Sequence, residues 1–481
     1  MQIAKNYLYN AAYQLLNIIT PIITLPYLAR ILGKEGVGIA SWTNSLVTYF
    51  LLIASLGIIT YGSREIAYLH EDRVAQEKKF WEIQLIHTGA GIIAVALYAA
   101  FIVIGSIYNQ RIADNQLYLW YQTWVIISGI IDISWYFIGL EDFKKTVLRN
   151  TMIKILMTVL IFVLVKSASD VGVYILLLAI TQVFGNLSMW FYLFGKFKKP
   201  IIKKLDFKMH LHPIFMMFVP TIATQIYLQL NKTMLPFITG STASAGIYDN
   251  ADKIIKVSLA LVTSVGMVML PRMSAKFAKG EYQAMKAGTQ ASMDFVSAIA
   301  IPMACGIAAV GPTAMIWFLG PSWGEVGDIL VWLTPIIVFI GWSNVIGNQY
   351  LIPVKRLNDF TISVTFGAVT NIVLNFLFIY WGGVRGAALA TTVAELAVIG
   401  YQLYVTRSDM KISQHFIGIW RYGLAGLVMY LTVIAYVHYQ SISVLNTLIE
   451  IILGACAYLI VLIILRTPIL KKVPLLNRLI F

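Results

Sequence analysis

Long apolar runs alternate with short polar segments along the whole chain of 481 residues. A helix that crosses a bilayer needs about 20 mostly apolar residues, and a window of that length finds fourteen candidate spans. The runs are too long and alternate too little for a transmembrane β-barrel. The pattern therefore predicts an all-α integral membrane protein with about 14 transmembrane helices joined by short connections. The spans are approximately 8–30, 37–61, 83–107, 117–140, 149–167, 172–195, 213–238, 248–270, 290–310, 327–352, 360–380, 384–406, 419–439 and 445–466.

Lysines and arginines concentrate in every second connection between spans, and this pattern predicts the orientation of the chain in the membrane. With the N-terminus inside, inner segments hold 27 of the 36 basic residues and outer segments hold five. Cytoplasmic loops of membrane proteins carry such an excess, so we expect an even number of spans with both termini cytoplasmic. The net charge of +14 then reflects topology and attraction to anionic lipid, and no nucleic-acid partner is expected.

Composition narrows the function classes. The chain is 59% hydrophobic and 12% charged, with a mean hydropathy of +0.77, which excludes an ordinary soluble protein. The first apolar segment is too long for a signal peptide and lacks a cleavage site, so we expect it to be retained. Cys305 and Cys456 lie in separate apolar runs and indicate neither a disulfide framework nor a metal site. No Walker A sequence supports direct ATP hydrolysis.

Two segments about 210 residues apart share one plan. "LPYLARILGKEGVGIASWTN" (25–44) and "LPFITGSTASAGIYDNAD" (235–252) each end a span with Leu-Pro-aromatic, pass a glycine-containing outer loop and open the next span with Gly-Ile. The repeat predicts two pseudo-symmetric six-helix lobes related by an axis along the membrane normal, plus two C-terminal helices. The corresponding domains are 1–210, 211–410 and 411–481. Paired prolines, at 21 and 26 and at 220 and 236, suit gating helices, but prolines are also frequent in ordinary membrane helices.

Four lysines lie inside predicted spans, where a charge costs about 2.5 to 3.5 kcal/mol and is a site hypothesis by default. Lys154 lies about one turn from the inner end of its span, so its side chain can reach the headgroups. Lys232 could also extend outward, so geometry alone leaves open whether it faces lipid or a cavity. Lys253 and Lys256 follow acids at i,i+4, which indicates either simple ion pairs or a helix face that lines water.

Together with arginines near the span ends, these lysines predict a cationic cavity suited to an anionic substrate such as phosphate or pyrophosphate. Arg64 at the inner end of span two either forms an inner opening or is an ordinary interface charge. The candidate substrate-binding residues are Arg30, Lys232, Lys253, Lys256, Arg64 and Lys154.

Acids in or next to spans are the candidates for binding a coupling Na⁺ or H⁺, with Asn371 and Asn375 as possible helpers. His210 and His212 lie at a basic inner junction, and we expect them to be interfacial and not to bind metal. The sequence thus predicts no cofactor beyond such a coupling ion. The acids are Asp132, Asp249, Asp252, Asp294 and Glu395.

Several stretches in fixed order resemble the polysaccharide repeat-unit flippases of bacterial capsule, exopolysaccharide and O-antigen pathways, within the multidrug/oligosaccharidyl-lipid/polysaccharide exporter superfamily. They are "NAAYQLLNIITPIITLPYLARILGKEGVGIAS", "YGSREIA", "WYFIGLEDFKKTVLRN", "QIYLQLNKTMLP", "GIYDNADKIIKV" and "GVRGAALATTVAE". The resemblance places Arg30, Lys232 and Lys253 on matching motif positions. The family pattern often has an acid before the lysine where this chain has Asn231, which puts ion coupling at that position in doubt.

The resemblance implies a fourteen-helix protein of the cytoplasmic membrane with two lobes around a central cavity. Such a protein would move undecaprenyl-pyrophosphate-linked oligosaccharide from the inner to the outer leaflet by alternating access. Its partners would be that lipid-linked oligosaccharide, membrane lipids, and a polysaccharide polymerase and export components. One alternative is a multidrug exporter of the same fold, for which an acidic or aromatic cavity is expected. The other is a membrane glycosyltransferase or polymerase, which would need a sizeable outer loop with acid/base groups.

Overall fold

A computed structural model describes residues 2–69, 72–195, 197, 205–409, 416, 418–467 and 469. Regular structure in this part of the chain is helical, with short 3₁₀ turns and one π-helical turn between the main helices. The helices are α1 (Gln2–Ser55), α2 (Ile58–Tyr68), α3 (Arg73–Tyr108), α4 (Gln110–Asp114), α5 (Gln116–Ile130), α6 (Ser134–Gly139), α7 (Phe143–Leu164), α8 (Val171–Trp190), α9 (Lys208–Thr239), α10 (Ala243–Ala278), α11 (Tyr282–Phe318), α12 (Gly324–Leu333), α13 (Pro335–Ile346), α14 (Leu357–Thr406), α15 (Ile419–Val437) and α16 (Val444–Ile464).

The prediction of an all-α membrane protein is confirmed. Among the described residues, ten helical segments are long and apolar enough to cross a bilayer. Some of these are long enough for two crossings: α14 has 50 residues, or about 75 Å at about 1.5 Å per residue, against a hydrocarbon core of about 30 Å. The count of 14 stays a prediction.

Glycines with positive φ turn the two longest helices. Helical geometry in α1 continues through Pro21 and Pro26 and departs at Gly33, where φ is 67°. In α14 the departure is at Gly383, with φ of 54°. Glycine adopts this conformation without the Cβ penalty of other residues. Both turns fall in the intervals between predicted spans, so α1 holds spans one and two and α14 holds spans eleven and twelve.

The chain forms two compact units. Unit 1 contains Met1–Pro236 and Ser241–Gly246, and unit 2 contains Phe237–Gly240 and Ile247–Phe481. In unit 1, one buried cluster centres on Trp42, Tyr98 and Leu119 from α1, α3 and α5. A second contains Phe80 and Trp135, whose rings stack at 5.4 Å. These clusters hold α1, α2, α3, α5 and α6 together by apolar contact.

The predicted fourth span is broken between α5 and α6. The two carbonyls freed at the break, of Ile130 and Ile131, accept hydrogen bonds of 2.8 Å from the side chains of Gln84 and Trp190. Unpaired backbone groups are costly in a membrane, so side chains from α3 and α8 make this break possible.

In unit 2, α15 and α16 pack against α11. The Tyr422 hydroxyl donates to Asp294 Oδ1 at 2.8 Å, and the Tyr458 hydroxyl donates to the Ala298 carbonyl at 3.0 Å. Gly426 on α15 lets Ile301 of α11 approach closely, since a Cβ there would lie 2.8 Å from the Ile301 Cγ2. The two C-terminal helices are therefore integral to this unit.

Within unit 1, the outer segments of the internal repeat contact each other. A Cβ at Gly38 would lie 2.0 Å from the Thr242 carbonyl oxygen, and one at Gly246 would lie 2.8 Å from the Lys34 carbonyl oxygen. The Glu35 carboxylate accepts hydrogen bonds from the hydroxyls of Ser241 and Thr242. Only glycine permits such a close backbone approach at these two positions.

Candidate substrate and ion sites

Lys232 lies buried on α9, with 8% of the residue exposed, next to the equally buried Asn231. The following residue, Thr233, contacts α1: its hydroxyl donates to Ser45 Oγ at 2.9 Å and lies 3.0 Å from the Tyr49 hydroxyl. A side chain extended along lipid would be exposed. The burial of Lys232 therefore argues for a position inside the protein, where a cation is costly and is expected to be functional.

The charges at the start of α10 are paired as their spacing predicts. In unit 2, Lys253 Nζ lies 2.6 Å from Asp249 Oδ2, and Lys256 Nζ lies 2.6 Å from Asp252 Oδ2. Asp249 is buried, while both lysines are at least one-third exposed. Each lysine thus shares its charge with an acid one turn away.

The remaining candidate cations belong to unit 1. Arg30 on α1 is exposed, and Lys154 on α7 is half-buried. Arg64 on α2 pairs with Glu65 at 3.3 Å and lies over the Tyr61 ring, 5.5 Å from its centroid. Of the six predicted substrate-binding residues, four therefore lie in unit 1 and two in unit 2.

The candidate acids differ in their surroundings. Asp132 lies at the break between α5 and α6, where its Oδ1 accepts from the Ser134 amide at 2.8 Å and lies 3.8 Å from Arg149 Nη1. Asp294 Oδ1 accepts the hydrogen bond from the Tyr422 hydroxyl described above. Glu395 lies buried on α14. Asp132 and Asp294 thus both carry contacts that hold helices together.

A polar cluster lies near the predicted helper residues in unit 2. The Tyr248 hydroxyl lies 3.1 Å from the Thr391 hydroxyl, Asn371 donates to Thr391 at 3.4 Å, and Asn375 donates to Asn371 Oδ1 at 3.0 Å. Neutral oxygens of this kind suit a hard cation. Among the described residues, no cluster of three or more His, Cys, Asp or Glu side chains could hold a metal ion.

A buried polar group in unit 1 was not predicted from the sequence. His210 is 0% exposed and lies inside the protein, whereas His212 is exposed. Their position at the membrane interface stays a prediction. His210 Nδ1 lies 2.6 Å from the Tyr61 hydroxyl, and its Nε2 lies 3.0 Å from Glu82 Oε2. The other Glu82 oxygen accepts from the Asp206 amide at 2.9 Å. These contacts join α2, α3 and the beginning of α9, and we call Tyr61, Glu82 and His210 the histidine group.

Solved structures with the same fold are membrane transport proteins. The chain aligns with the inward closed conformation of lipid II flippase MurJ at a TM-score of 0.72 and 16% identity, covering 96% of this chain and 98% of that one. An inward-facing multidrug resistance MATE family transporter of the MOP superfamily aligns at 0.66 and 15% identity, covering 84% and 95%. The fold therefore defines an all-α, multi-pass membrane protein of the MurJ and MATE architecture.

Sequence relationships narrow this class to a family. The profile described as "Polysaccharide biosynthesis protein" matches residues 3–277, and that of "Lipid II flippase MurJ" matches residues 142–456. Because the first profile matches more than half of the chain, the chain belongs to the polysaccharide biosynthesis protein family, which confirms the resemblance seen in its motifs.

Two full-length relatives are each described as "Putative O-antigen transporter". The one from Shigella dysenteriae is 24% identical over 395 residues, covering 80% of this chain and 96% of that protein. The one from Escherichia coli (strain K12) is 21% identical over 415 residues, covering 85% and 98%. The similarity thus extends along nearly the whole length of these proteins.

Proposed function

We propose that this protein is a flippase that moves undecaprenyl-pyrophosphate-linked oligosaccharide repeat units from the inner to the outer leaflet of the bacterial cytoplasmic membrane. Membership in the polysaccharide biosynthesis family and similarity to O-antigen transporters and to a lipid II flippase support the substrate class. The product would serve assembly of capsule, exopolysaccharide or O-antigen. The named relatives are transporters and flippases, so we assign no enzymatic reaction to the chain.

The burial of Lys232 is the observation that supports a role for one particular residue in binding the headgroup. The pyrophosphate of the substrate must leave water to cross the membrane. Opposite unit charges 4 Å apart attract by about 1 kcal/mol in water but by about 4 kcal/mol at an effective dielectric constant of about 20. A buried ammonium group therefore offsets part of the desolvation cost of the anionic headgroup, while the polyprenyl tail stays in lipid.

Alternating access is the transport mechanism that we propose, with a central cavity that opens first inward and then outward. Candidate cations for the headgroup are those predicted above, in domains 1–210 and 211–410. The acids of unit 2, together with the cluster around Asn371, suit binding of a coupling Na⁺ or H⁺. We place both termini in the cytoplasm, and a polysaccharide polymerase and export components are the expected protein partners.

A multidrug exporter of the same fold is the alternative function, since a MATE family transporter shares the architecture. An exporter of organic cations would favour acidic or aromatic groups in its cavity. The buried Lys232 on α9 disfavours a cationic substrate, because like charges repel.

A leaflet-exchange assay tests the proposal. The purified chain is reconstituted in liposomes with fluorescent polyprenyl-pyrophosphate oligosaccharide, and quencher accessibility reports exchange. We expect exchange by the parent and a loss of about tenfold or more in Lys232→Met, equivalent to about 1.4 kcal/mol of headgroup stabilisation. Lys279→Met, which removes an exposed lysine, is the matched control and should keep the parent rate.

The outcomes separate the candidate functions. Equal exchange by the parent and Lys232→Met keeps the flippase and removes the headgroup role of that lysine. No exchange by the parent, combined with efflux of an organic cation dye, would establish the multidrug exporter instead.

A further inference from the structure

The hydrogen bonds of the histidine group assign its protons when His210 is neutral. A carboxylate only accepts, so Glu82 Oε2 accepts a hydrogen bond from His210 Nε2–H at 3.0 Å. His210 Nδ1 then carries a lone pair, and the Tyr61 hydroxyl donates to it across 2.6 Å. All three residues are at most 2% exposed. The neutral imidazole is therefore fully hydrogen-bonded and held between two helices.

Charges of both signs surround this group. Lys78 and Lys79 approach the Glu82 carboxylate at 3.7 and 3.8 Å. Arg64 lies over the Tyr61 ring and pairs with Glu65. The titratable and charged groups that face His210 or its two partners are thus Lys78, Lys79 and Glu82 from α3, Tyr61, Arg64 and Glu65 from α2, and Asp206 through its backbone amide.

The same atoms can hold one more proton without a change of partners. A proton added to Nδ1 forms an N–H bond there, and the Tyr61 hydroxyl turns so that its oxygen accepts from it. Nε2–H stays donated to Glu82, and the carboxylate then compensates a charged imidazolium. The hydrogen bond that the Tyr61 O–H donated to Nδ1 is given up, and its proton turns away from the imidazole. Loss of the proton from Nδ1 reverses the step.

We propose that His210 is a proton-binding site of unit 1 and that its occupancy is linked to binding of an anionic headgroup at Arg64. The link passes through Tyr61, which bonds His210 with its hydroxyl and lies under the Arg64 guanidinium with its ring. The added proton places a positive charge on the imidazole, which contacts the same Tyr61 side chain that Arg64 lies over. A phosphate-bearing headgroup there and a proton on His210 therefore favour each other's binding, which is reciprocal by linkage.

The proton-binding step stands independently of transport, whereas the link to a headgroup rests on the proposed function. It also gives α9 a role at its inner end. His210 and the Asp206 amide both bond Glu82, so the protonation state of one imidazole acts where α9 begins against α3.

Nitrogen NMR of the full-length protein with ¹⁵N-labelled histidine, in nanodiscs, tests the proton site directly. The six histidines give few signals, and His210→Gln identifies the one from His210. We expect that signal to change from the neutral to the doubly protonated pattern as the pH is lowered. In Glu82→Gln the proton should be held about tenfold less tightly. A His210 signal that stays neutral at every pH at which the protein remains folded, or one unaffected by Glu82→Gln, overturns the proposal.

Leaflet exchange with and without a pH gradient tests the link. We expect the gradient to change the rate of the parent by about fivefold or more, and to change the rate of His210→Gln less. His212→Gln, which alters an exposed histidine two residues away, should respond as the parent does. Tyr61→Phe keeps the ring over which Arg64 lies but removes the hydroxyl, so it should show the weakened response of His210→Gln while remaining folded.

The NMR titration and the leaflet-exchange assay test separate parts of the proposal. Exchange that ignores the gradient in the parent removes the link even if His210 titrates. Absence of exchange at every pH refutes the proposed function and the link that rests on it, and the NMR titration then decides the proton site alone.

Discussion

Replacement of Gly38 by alanine is the sharpest test of the contact between the two repeat segments. The new Cβ would lie 2.0 Å from the Thr242 carbonyl oxygen, and Cβ atoms essentially never approach closer than 3.0 Å. The backbone at one side must therefore move by about 1 Å, which in a packed interior costs about 1–3 kcal/mol. For a unit of this size, the expected fall in Tm is about 2–12 °C.

The fall in Tm is measured by thermal unfolding in detergent, with size-exclusion chromatography as the monitor of folded protein. Gly246→Ala should act in the same direction, since its Cβ would meet the Lys34 carbonyl oxygen and the Gly38 amide nitrogen at 2.8 Å. Gly89→Ala on α3 is the control, because nothing lies within 4 Å of its added methyl group. That control should keep or gain stability, by about 0.5–1 kcal/mol. A Gly38→Ala protein with the parent Tm would refute the steric reasoning.

Two further predictions concern single hydrogen-bonded groups. Tyr422→Phe leaves Asp294 without the hydroxyl donor that links α15 to α11, and should destabilise the protein by about 1–3 kcal/mol in the same thermal assay; Tyr439→Phe, an exposed site, should not, and equal Tm values would contradict the assignment. The Lys166 amide, followed by the Ser167 hydroxyl and amide, lowers the pKa of the Asp170 carboxyl. The stabilising contribution of Asp170 is therefore present above the unfolded-state pKa of about 4 and is lost as the pH falls through the folded-state value. The Tm difference between the parent and Asp170→Asn should accordingly vanish in acid, and a difference that persists would argue against it.

Local features of the sequence predicted most of the fold. Apolar run length located the helices, because a bilayer imposes one length on every crossing. The pairs at Asp249 and Lys253 and at Asp252 and Lys256 followed from helical spacing alone. The turn at Gly33 fell between two predicted spans.

Features that depend on distant residues could not be predicted in this way. His210 and Glu82 are 128 residues apart, and neither position in the sequence indicates the other as its hydrogen-bond partner. The break at Asp132 lies in an apolar segment without proline, and it exists because Gln84 and Trp190 bond the freed carbonyls. An acid directly at the start of an apolar run, as Glu82 is, was the one signal that could have indicated a buried partner.

The contact between the repeat segments bears on how such a chain could have arisen. Gly38 meets the carbonyl four residues before Gly246, and Gly246 meets the carbonyl four residues before Gly38. A reciprocal contact of this kind is what two identical subunits make across a two-fold axis. A half-length ancestor that formed a dimer would have placed the same glycine of each subunit against the other subunit. Fusion of two copies of its gene would then have converted that dimer contact into an internal one.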